Sequence, residues 1–430
     1  MYSALVRYYN NNEKFRLIAK IMVLWLLSRI VMLVMVPVMN LIADTPHDIL
    51  YYMNPWDAEW YKQMAEEGYK YPRTSGMANW AFFPLYPCVC ALIRFITGGH
   101  INTYAIGMFV SNVCIIIAVY YAVKFAWDEL DTDKHDKIDI ENIIIFLMLA
   151  GPCAMYYGAM YTEALFTMCV VLCLYNTKRK NYIAAGICAA LASATRIVGC
   201  TLIIVLLTDM YVDAYRKQVE TDSLDDKKVH KDMSDKASDI FPVKKLTSGR
   251  IMSAVKYMVK DVIKDARKML SLAICPLGIF LYMTFLRYFC GDAWAFYHVQ
   301  RAWRTQKLVP VIGVLFKSCT GRLGVTSDVK CLNGIILGWL CVFTLLLYVI
   351  MIAKKHYSLG IFGIIALMIP LTSSVMSTLR FIVGSFVVYI GITEILLTTG
   401  KKMRKVIVTL LAVSEIVCIA AWYFWDGLLM

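Results

Sequence analysis

An acidic and aromatic segment, NPWDAEWYKQMAEEGYKY at residues 54–71, holds the side chains of this chain that are best suited to chemistry. Good helix formers follow Asp57 and run to Gly68, a residue type that commonly ends a helix. On such a helix Asp57 and Tyr61 share one face, whereas Glu59 points elsewhere. A carboxylate held in this way is suited to taking a proton from a bound hydroxyl group.

Further candidate residues lie where apolar stretches begin or end. Arg196 and Arg380 fall at the ends of apolar runs, and Glu163 lies in a short turn between two of them. The segment FYHVQRAWRT adds three more polar candidates, His298, Gln300 and Arg301. Ionisable side chains flush with apolar runs are costly, which makes them candidates for function.

The composition indicates the kind of fold that must position these residues. Of the 430 residues, 60% are hydrophobic and 17% are charged, against roughly 45–50% and about 25% in soluble domains. The excess lies in runs of about 20 residues, the length that crosses the core of a bilayer. The sequence therefore predicts an all-α, polytopic membrane protein.

The formal net charge of +13 does not indicate nucleic-acid binding. Lys and Arg collect in loops, where they set the orientation of a membrane protein, and no basic stripe lies on a soluble domain of its own. The 14 cysteines are scattered through apolar runs without metal-ligand spacing, so most are interpreted as packing residues.

About eleven transmembrane helices are predicted within a single domain over residues 1–430. The apolar runs lie near 21–43, 104–127, 143–159, 162–176, 182–195, 197–212, 268–288, 334–353, 358–375, 380–398 and 405–425. Four basic segments are assigned to the cytoplasmic side: 178–180, 213–267, 354–356 and 401–405. The first outer loop, 44–103, is then large and contains the acidic segment. Within it, residues 82–99 are predicted to form a helix on the membrane surface, with a further span as the alternative.

With this topology, all the candidate residues fall on the outer side. Arginines bind a phosphate bidentately, a carboxylate takes a proton, and the rings of Trp56, Trp60 and Tyr61 can stack on a sugar or a lipid. This set fits glycosyl transfer from a lipid-linked sugar phosphate, whose leaving group needs positive charge. The alternative from composition alone is a solvated acidic loop, with aromatic residues and arginines reaching the lipid headgroups.

Four motifs in order resemble the PIG-V family, the second mannosyltransferase of GPI-anchor synthesis and its bacterial relatives, within the GT-C class of membrane glycosyltransferases. The motifs are WDAEWYKQMAEEGY (56–69), AFFPLYP (81–87), GAMYTEALF (158–166) and ATRIVG (194–199). The segment GDAWAFYHVQRAW (291–303) is similar to the bacterial branch, whereas the loop 213–267 looks like an insertion of this chain's own.

The resemblance implies a GT-C-like fold and inverting transfer of a sugar, mannose by analogy, from a polyprenyl- or dolichyl-phosphate donor. The catalytic acid of the family's first outer loop maps onto Asp57, and Glu163 occupies the family's Tyr-Thr/Ser-Glu position without an assigned role. A glycolipid, glycan or protein acceptor is expected. A bacterial plasma membrane is favoured over the endoplasmic reticulum.

Two other functions are left open by the sequence. A flippase or transporter of lipid-linked sugars would use Glu394 and Glu415, which fall inside predicted spans. A non-catalytic subunit of a glycosyltransferase complex would keep the site without using it. No cofactor is assigned, although a divalent cation bridging Asp57 or Glu59 to the donor phosphate remains an alternative.

Overall fold

The computed structural model describes residues 12–43, 45–72, 76–130, 132–229, 248–303, 310–322, 331–372 and 374–424. These ranges contain helices joined by turns, and no strand occurs within them. The predicted all-α membrane fold is confirmed. The middle of the predicted basic loop, residues 230–247, lies outside the described residues, and the predicted domain and loop boundaries stay predictions.

The helices are numbered here in chain order. The first half contains α1 (Glu13–Asn40), α2 (Ile49–Met53), α3 (Asp57–Glu67), α4 (Leu85–Ile96), α5 (Thr103–Glu129), α6 (Lys137–Ala150), α7 (Glu163–Lys178), α8 (Tyr182–Thr195) and α9 (Ile203–Val229). The second half contains α10 (Ser248–Lys264), α11 (Ala266–Ile274), α12 (Leu277–Cys290), α13 (Ala295–His298), α14 (Gln300–Trp303), α15 (Val311–Cys319), α16 (Cys331–Ala353), α17 (Tyr357–Leu371), α18 (Thr378–Gly384), α19 (Val387–Thr398) and α20 (Lys401–Tyr423). Short 3-10 helices occur at Asn79–Ala81, Ala154–Gly158 and Ile197–Leu202.

Five helical stretches in the described ranges are long and apolar enough to cross a membrane, or seven if two bent pairs each count as one span. The bent pairs are α11 with α12 and α18 with α19. Four other predicted spans correspond to α6, α7, α8 and α17, which have 14, 16, 14 and 15 residues. A span needs about 20 residues, so the count of eleven stays a prediction.

Two breaks in the helices fall where the sequence placed turns. The helix α8 ends at Thr195, and the 3-10 helix Ile197–Leu202 follows Arg196 directly. Between α6 and α7, the segment 151–162 forms a 3-10 helix and a turn that are almost entirely buried within the bundle. This second turn is therefore part of the core and not an exposed loop.

The predicted cytoplasmic segments meet at one end of the bundle. Glu129, at the end of α5, pairs with Lys178 at 2.5 Å and with His356 at 2.6 Å. Lys180 pairs with Asp209 of α9 at 2.7 Å, and Arg404 pairs with Asp139 of α6. With the pair of Lys180 and Asp213 at 2.6 Å, these contacts join three of the four basic segments, 178–180, 213–267 and 354–356, which supports placing those three on one side of the membrane.

The first predicted outer loop, 44–103, packs on the third predicted outer loop, residues 289–333, away from this basic end. Within residues 82–99, α4 buries Tyr86, Pro87 and Cys90 and is only 12 residues long, which suits a surface helix better than a span. Phe83 contacts the ring of Phe296 in α13 at 5.5 Å. The two loops thereby form a second, smaller hydrophobic cluster beside the main core.

Candidate active site

Four charged side chains form one ion-pair network of Asp57, Arg380, Glu163 and Arg196. Arg380 donates through Nη1 to Asp57 Oδ2 and through Nε to Glu163 Oε1. The same Glu163 oxygen accepts from Arg196 Nη1 at 2.8 Å. Two carboxylates and two guanidinium groups therefore alternate, and their formal charges cancel.

Each member of the network stands at the end of a helix or within a short helical segment. Asp57 and Glu163 are the first residues of α3 and α7, where unpaired backbone N–H groups and the helix dipole stabilise negative charge. Arg196 caps the C-terminus of α8 and Arg380 lies in the seven-residue α18. The N-termini of α3 and α7 therefore stabilise the negative charges of Asp57 and Glu163.

The network is buried in the middle and reaches the surface at its ends. The side chains of Glu163 and Arg380 are 0% and 6% exposed, whereas Arg196 is 10% and Asp57 23% exposed. Removing one partner of a buried ion pair costs about 3–5 kcal/mol because a charge stays uncompensated. The buried pair of Glu163 and Arg380 therefore holds Asp57 and Arg196 in fixed positions.

Tyr161 connects the network to the backbone that precedes Asp57. Its hydroxyl donates to the Pro55 carbonyl at 2.7 Å and accepts from the Asp57 backbone N–H at 3.3 Å. Its ring lies under the Arg380 guanidinium at 4.5 Å, a favourable cation–π distance. One side chain thus contacts the helix of Asp57 and the arginine that holds its carboxylate.

The backbone at Trp56 is strained. Its φ is +47°, in the left-handed region that residues with a side chain rarely adopt, at a cost of about 1–3 kcal/mol. Asn54 supports the same turn, since its Oδ1 accepts from the Met160 backbone N–H at 2.8 Å. The strain is stored directly before Asp57.

The predicted aromatic residues occupy three different environments. Trp56 packs edge-on against Trp422 at 5.2 Å, and Trp60 stacks on Phe82 at 5.8 Å. Tyr61 is 4% exposed, and burial raises the pKa of its phenol to about 12, so it remains protonated. Its hydroxyl lies 3.4 Å from Thr162 Oγ1, on the face of α3 that also carries Asp57.

Glu59 lies apart from the network, as the helical spacing predicts. Its carboxylate accepts from the Tyr104 hydroxyl and lies 3.7 Å from Lys62. Glu59 and Asp57 therefore lie on different faces of α3.

The three candidates of the third outer loop are not brought into the network by any contact among the described residues. His298 pairs with Asp292 at 2.6 Å, and this hydrogen bond lowers the pKa of the Asp292 carboxyl group. Gln300 and Arg301 begin α14. These residues lie beside the first outer loop, at the surface where α13 contacts the segment around Phe83.

Sequence reasoning missed the contributions of Tyr161 and Trp422. Tyr161 lies inside the quoted motif GAMYTEALF, but a tyrosine in an apolar setting is typical of packing. Trp422 lies in the last helix and contacts both Trp56 and Tyr161. A distant tryptophan at the end of an apolar run carries no sequence signal for such a role, because aromatic residues are common at membrane interfaces.

The carboxylates of the site do not fit a protein-held metal ion. Asp57 and Glu163 both face arginines, and Glu59 faces away. Within the described ranges no group of three or more His, Cys, Asp and Glu residues could hold a metal ion. No step is therefore assigned to a metal.

Comparison with known families supports the motif analysis. Residues 33–226 match the family model described as mannosyltransferase (PIG-V). The resemblance of the motifs to this family is confirmed over these residues, and the match supports the predicted class of membrane glycosyltransferase. The matched region includes Asp57, Glu163 and Arg196 but not Arg380. No curated protein sequence gives a significant match.

Solved structures give only distant matches. The archaeal oligosaccharyltransferase AglB from Archaeoglobus fulgidus, in complex with an inhibitory peptide and a dolichol-phosphate, is 11% identical with a TM-score of 0.46. The match covers 98% of this chain and 56% of that one. A structure of the oligosaccharyltransferase from the same organism, tethered to an acceptor peptide, gives the same four values. The chain thus spans about half the length of these proteins.

Proposed function

We propose that this chain, whose residues 33–226 match the PIG-V mannosyltransferase family model, is an inverting glycosyltransferase that uses a lipid-phosphate sugar. The donor is a polyprenyl- or dolichyl-phosphate sugar, mannose by the family likeness. The acceptor is a hydroxyl group of a glycolipid, a glycan or a protein. The observation that carries this proposal is the ion-pair network, in which Asp57 is 23% and Arg196 10% exposed and the pair between them is buried.

Asp57 serves as the general base in this proposal. Its Oδ2 is held by Arg380, while Oδ1 accepts no hydrogen bond from a described residue. Oδ1 takes the proton of the acceptor hydroxyl, whose oxygen attacks the anomeric carbon. The bond from that carbon to the phosphate oxygen breaks on the opposite face, so the configuration inverts.

Arg196 is the group placed best to receive the departing lipid phosphate. Among the described residues, Glu163 engages its Nη1, and its guanidinium lies 4.2 Å from the centre of the Phe381 ring. The remaining N–H groups form a fork suited to two phosphate oxygens. Arg380 contributes charge from the buried side, and Glu163 keeps the two like-charged guanidinium groups in place.

The test is sugar transfer by the purified full-length protein in nanodiscs. Radiolabelled polyprenyl-phosphate mannose is the donor and a crude lipid extract supplies the acceptor, with wild type, Asp57→Asn and Glu66→Gln compared. Glu66 is the matched control, because it lies on the same helix and its carboxylate accepts a hydrogen bond from Thr103 at 2.6 Å, away from the ion-pair network. A glutamine at this position can still accept that bond.

Transfer by wild type and Glu66→Gln but not by Asp57→Asn supports both the activity and the base. Transfer retained by Asp57→Asn would refute the base assignment. Donor binding without transfer under all acceptor conditions would favour a non-catalytic subunit. Absence of both binding and transfer would refute this donor.

A transporter receives less support from the same geometry. Glu394 pairs with Lys354 at 3.2 Å at the basic end of the bundle, and Glu415 accepts from the Ala154 backbone N–H at 3.2 Å. Neither carboxylate contacts the ion-pair network among the described residues, whereas a transporter is expected to keep such groups along one central pathway.

We place the enzyme with its site at the outer face of a bacterial plasma membrane, with the endoplasmic reticulum as the alternative.

A further inference from the structure

The last helix, α20, presents two very different faces. Val406, Leu410, Val413 and Val417 are more than half exposed, as expected of a helix that faces lipid. The opposite face buries Glu415, Ile419 and Trp422, which recur at helical spacing. A carboxylate on a buried face within a membrane is costly and calls for a specific role.

Glu415 supplies the cap that the 3-10 helix Ala154–Gly158 lacks. The residue before this helix, Cys153, makes no side-chain capping bond and has a φ of +68°. The N–H of Ala154 is shared between the Gly151 carbonyl at 3.1 Å and Glu415 Oε2 at 3.2 Å. This hydrogen bond ties α20 to the start of the segment that leads to Glu163.

Trp422 packs against the residues that surround Asp57. Its ring contacts Trp56, Tyr156 and Tyr161 at centroid distances of 5.2, 5.1 and 5.3 Å, each at a steep angle. Trp56 carries the strained backbone directly before Asp57, and Tyr161 is bonded to the Pro55 carbonyl. Trp422 therefore contacts both supports of the Asp57 turn from the same side.

The next residue, Tyr423, anchors this end of α20 to the rest of the bundle. Its hydroxyl donates to the Met32 carbonyl of α1 at 2.9 Å, and its ring stacks on Tyr52 of α2 at 5.0 Å. The position of Trp422 is thereby also fixed from α1, outside the turn that it contacts.

We propose that Glu415 and Trp422 are positioning residues for the reaction, which hold the Asp57 turn and the Glu163 segment against Arg380. The inference rests on the proposed function and extends it to a helix outside the family-matched region. It also explains the buried carboxyl group of Glu415 without assigning a transport function to the protein. A displacement of about 1 Å at a reacting group can cost roughly 100-fold in rate, so losing either contact affects turnover more than donor binding.

The experiment compares Trp422→Ala, Trp422→Phe, Glu415→Ala and Glu415→Gln with wild type in nanodiscs. Val417→Ala is the matched control, since it removes side-chain bulk from the exposed face of the same helix. Transfer kinetics give kcat and KM for the donor, and hydrogen exchange measures protection of the segments 153–166 and 55–62.

The expected result is a fall in kcat of about 10- to 100-fold for Trp422→Ala and Glu415→Ala, by the rate sensitivity to misplacement given above. KM for the donor changes less than threefold, exchange rises selectively in the two segments, and the Phe and Gln variants recover part of the loss. Unchanged kcat, or exchange that rises evenly over all helices, would refute positioning. The exchange arm needs no turnover, so it tests this proposal even if the proposed activity fails.

Discussion

Asp57 and Arg380 are separated by 323 positions in the chain and form a direct ion pair. The arginine lies in α18, near the C-terminal end of the chain. The other members of the site lie in the first half of the chain. The contact requires the amino- and carboxyl-terminal parts of the domain to be packed together. The site can exist only in the assembled bundle.

The buried pair of Arg380 and Glu163 predicts strongly coupled effects of substitution. Arg380→Gln or Glu163→Gln alone leaves an uncompensated charge in the interior and lowers the free energy of unfolding by about 3–5 kcal/mol. The double variant removes both charges, so its loss is smaller than the sum of the two single losses. Thermal unfolding of the four proteins in detergent measures this coupling, and strictly additive losses would contradict a direct pair.

A lysine at position 196 keeps the positive charge but loses the planar fork. We expect Arg196→Lys to raise KM for the lipid-phosphate donor about 10-fold, because bidentate phosphate contacts are lost. Donor titrations of the transfer rate measure the change. The conservative substitution Lys62→Arg, on the outer side of α3 beside Glu59, controls for general effects of exchanging basic residues.

The Tyr161 hydroxyl gives a prediction for kcat. Tyr161→Phe retains the ring under Arg380 but loses the contacts with Pro55 and Asp57. We expect a stability loss of about 1 kcal/mol and a fall in kcat of roughly 10-fold from misplacement of Asp57. Tyr86→Phe is the matched control, since its buried hydroxyl donates to the Gly107 carbonyl at 2.8 Å. Equal kcat losses in the two variants would argue against a specific role for Tyr161.

Local patterns in the sequence identified much of the site. Asp57 follows from helical spacing and acidity, and Arg196 and Glu163 follow from charged positions beside apolar runs, so each could be found without tertiary contacts. That Arg380 pairs with Asp57 could not be derived, since pairing across 323 positions depends on how the helices pack. The role of Trp422 was hidden for the same reason.

The sequence predicts the fold class, but it does not determine the number of membrane spans. Long apolar runs such as α1, α5 and α20 were found directly, because their length matches a bilayer. The shorter helices α6 and α7 are interrupted by the buried segment 151–162, whose apolar composition looks like part of a span. Hydropathy does not distinguish a buried turn from a membrane helix.

His356 predicts a pH dependence of stability at the basic end. Burial lowers its pKa, but the hydrogen bond to Glu129 and the charges of Glu129 and Glu394 outweigh this effect and raise the pKa above 6.5. Because the folded-state pKa is raised, the stabilisation is present below the ordinary pKa and is lost as the pH rises through the folded-state value. The thermal unfolding temperatures of wild type and His356→Gln should converge as the pH rises from about 6 through the folded-state pKa. Parallel curves would contradict the ion pair.

The arrangement of loops predicts opposite labelling of the two ends of the bundle. Lys402 lies in the basic segment that precedes the body of α20, and Tyr288, 87% exposed, lies near the end of α12 on the side of the first outer loop. In a Cys88→Ser background, which removes an exposed native thiol, Lys402→Cys should react with an impermeant maleimide only after the vesicles are opened. Tyr288→Cys should react in sealed, right-side-out vesicles, since positive charges stay on the cytoplasmic side. The reverse pattern would place the ion-pair network at the inner face and would require a donor presented in the cytoplasmic leaflet.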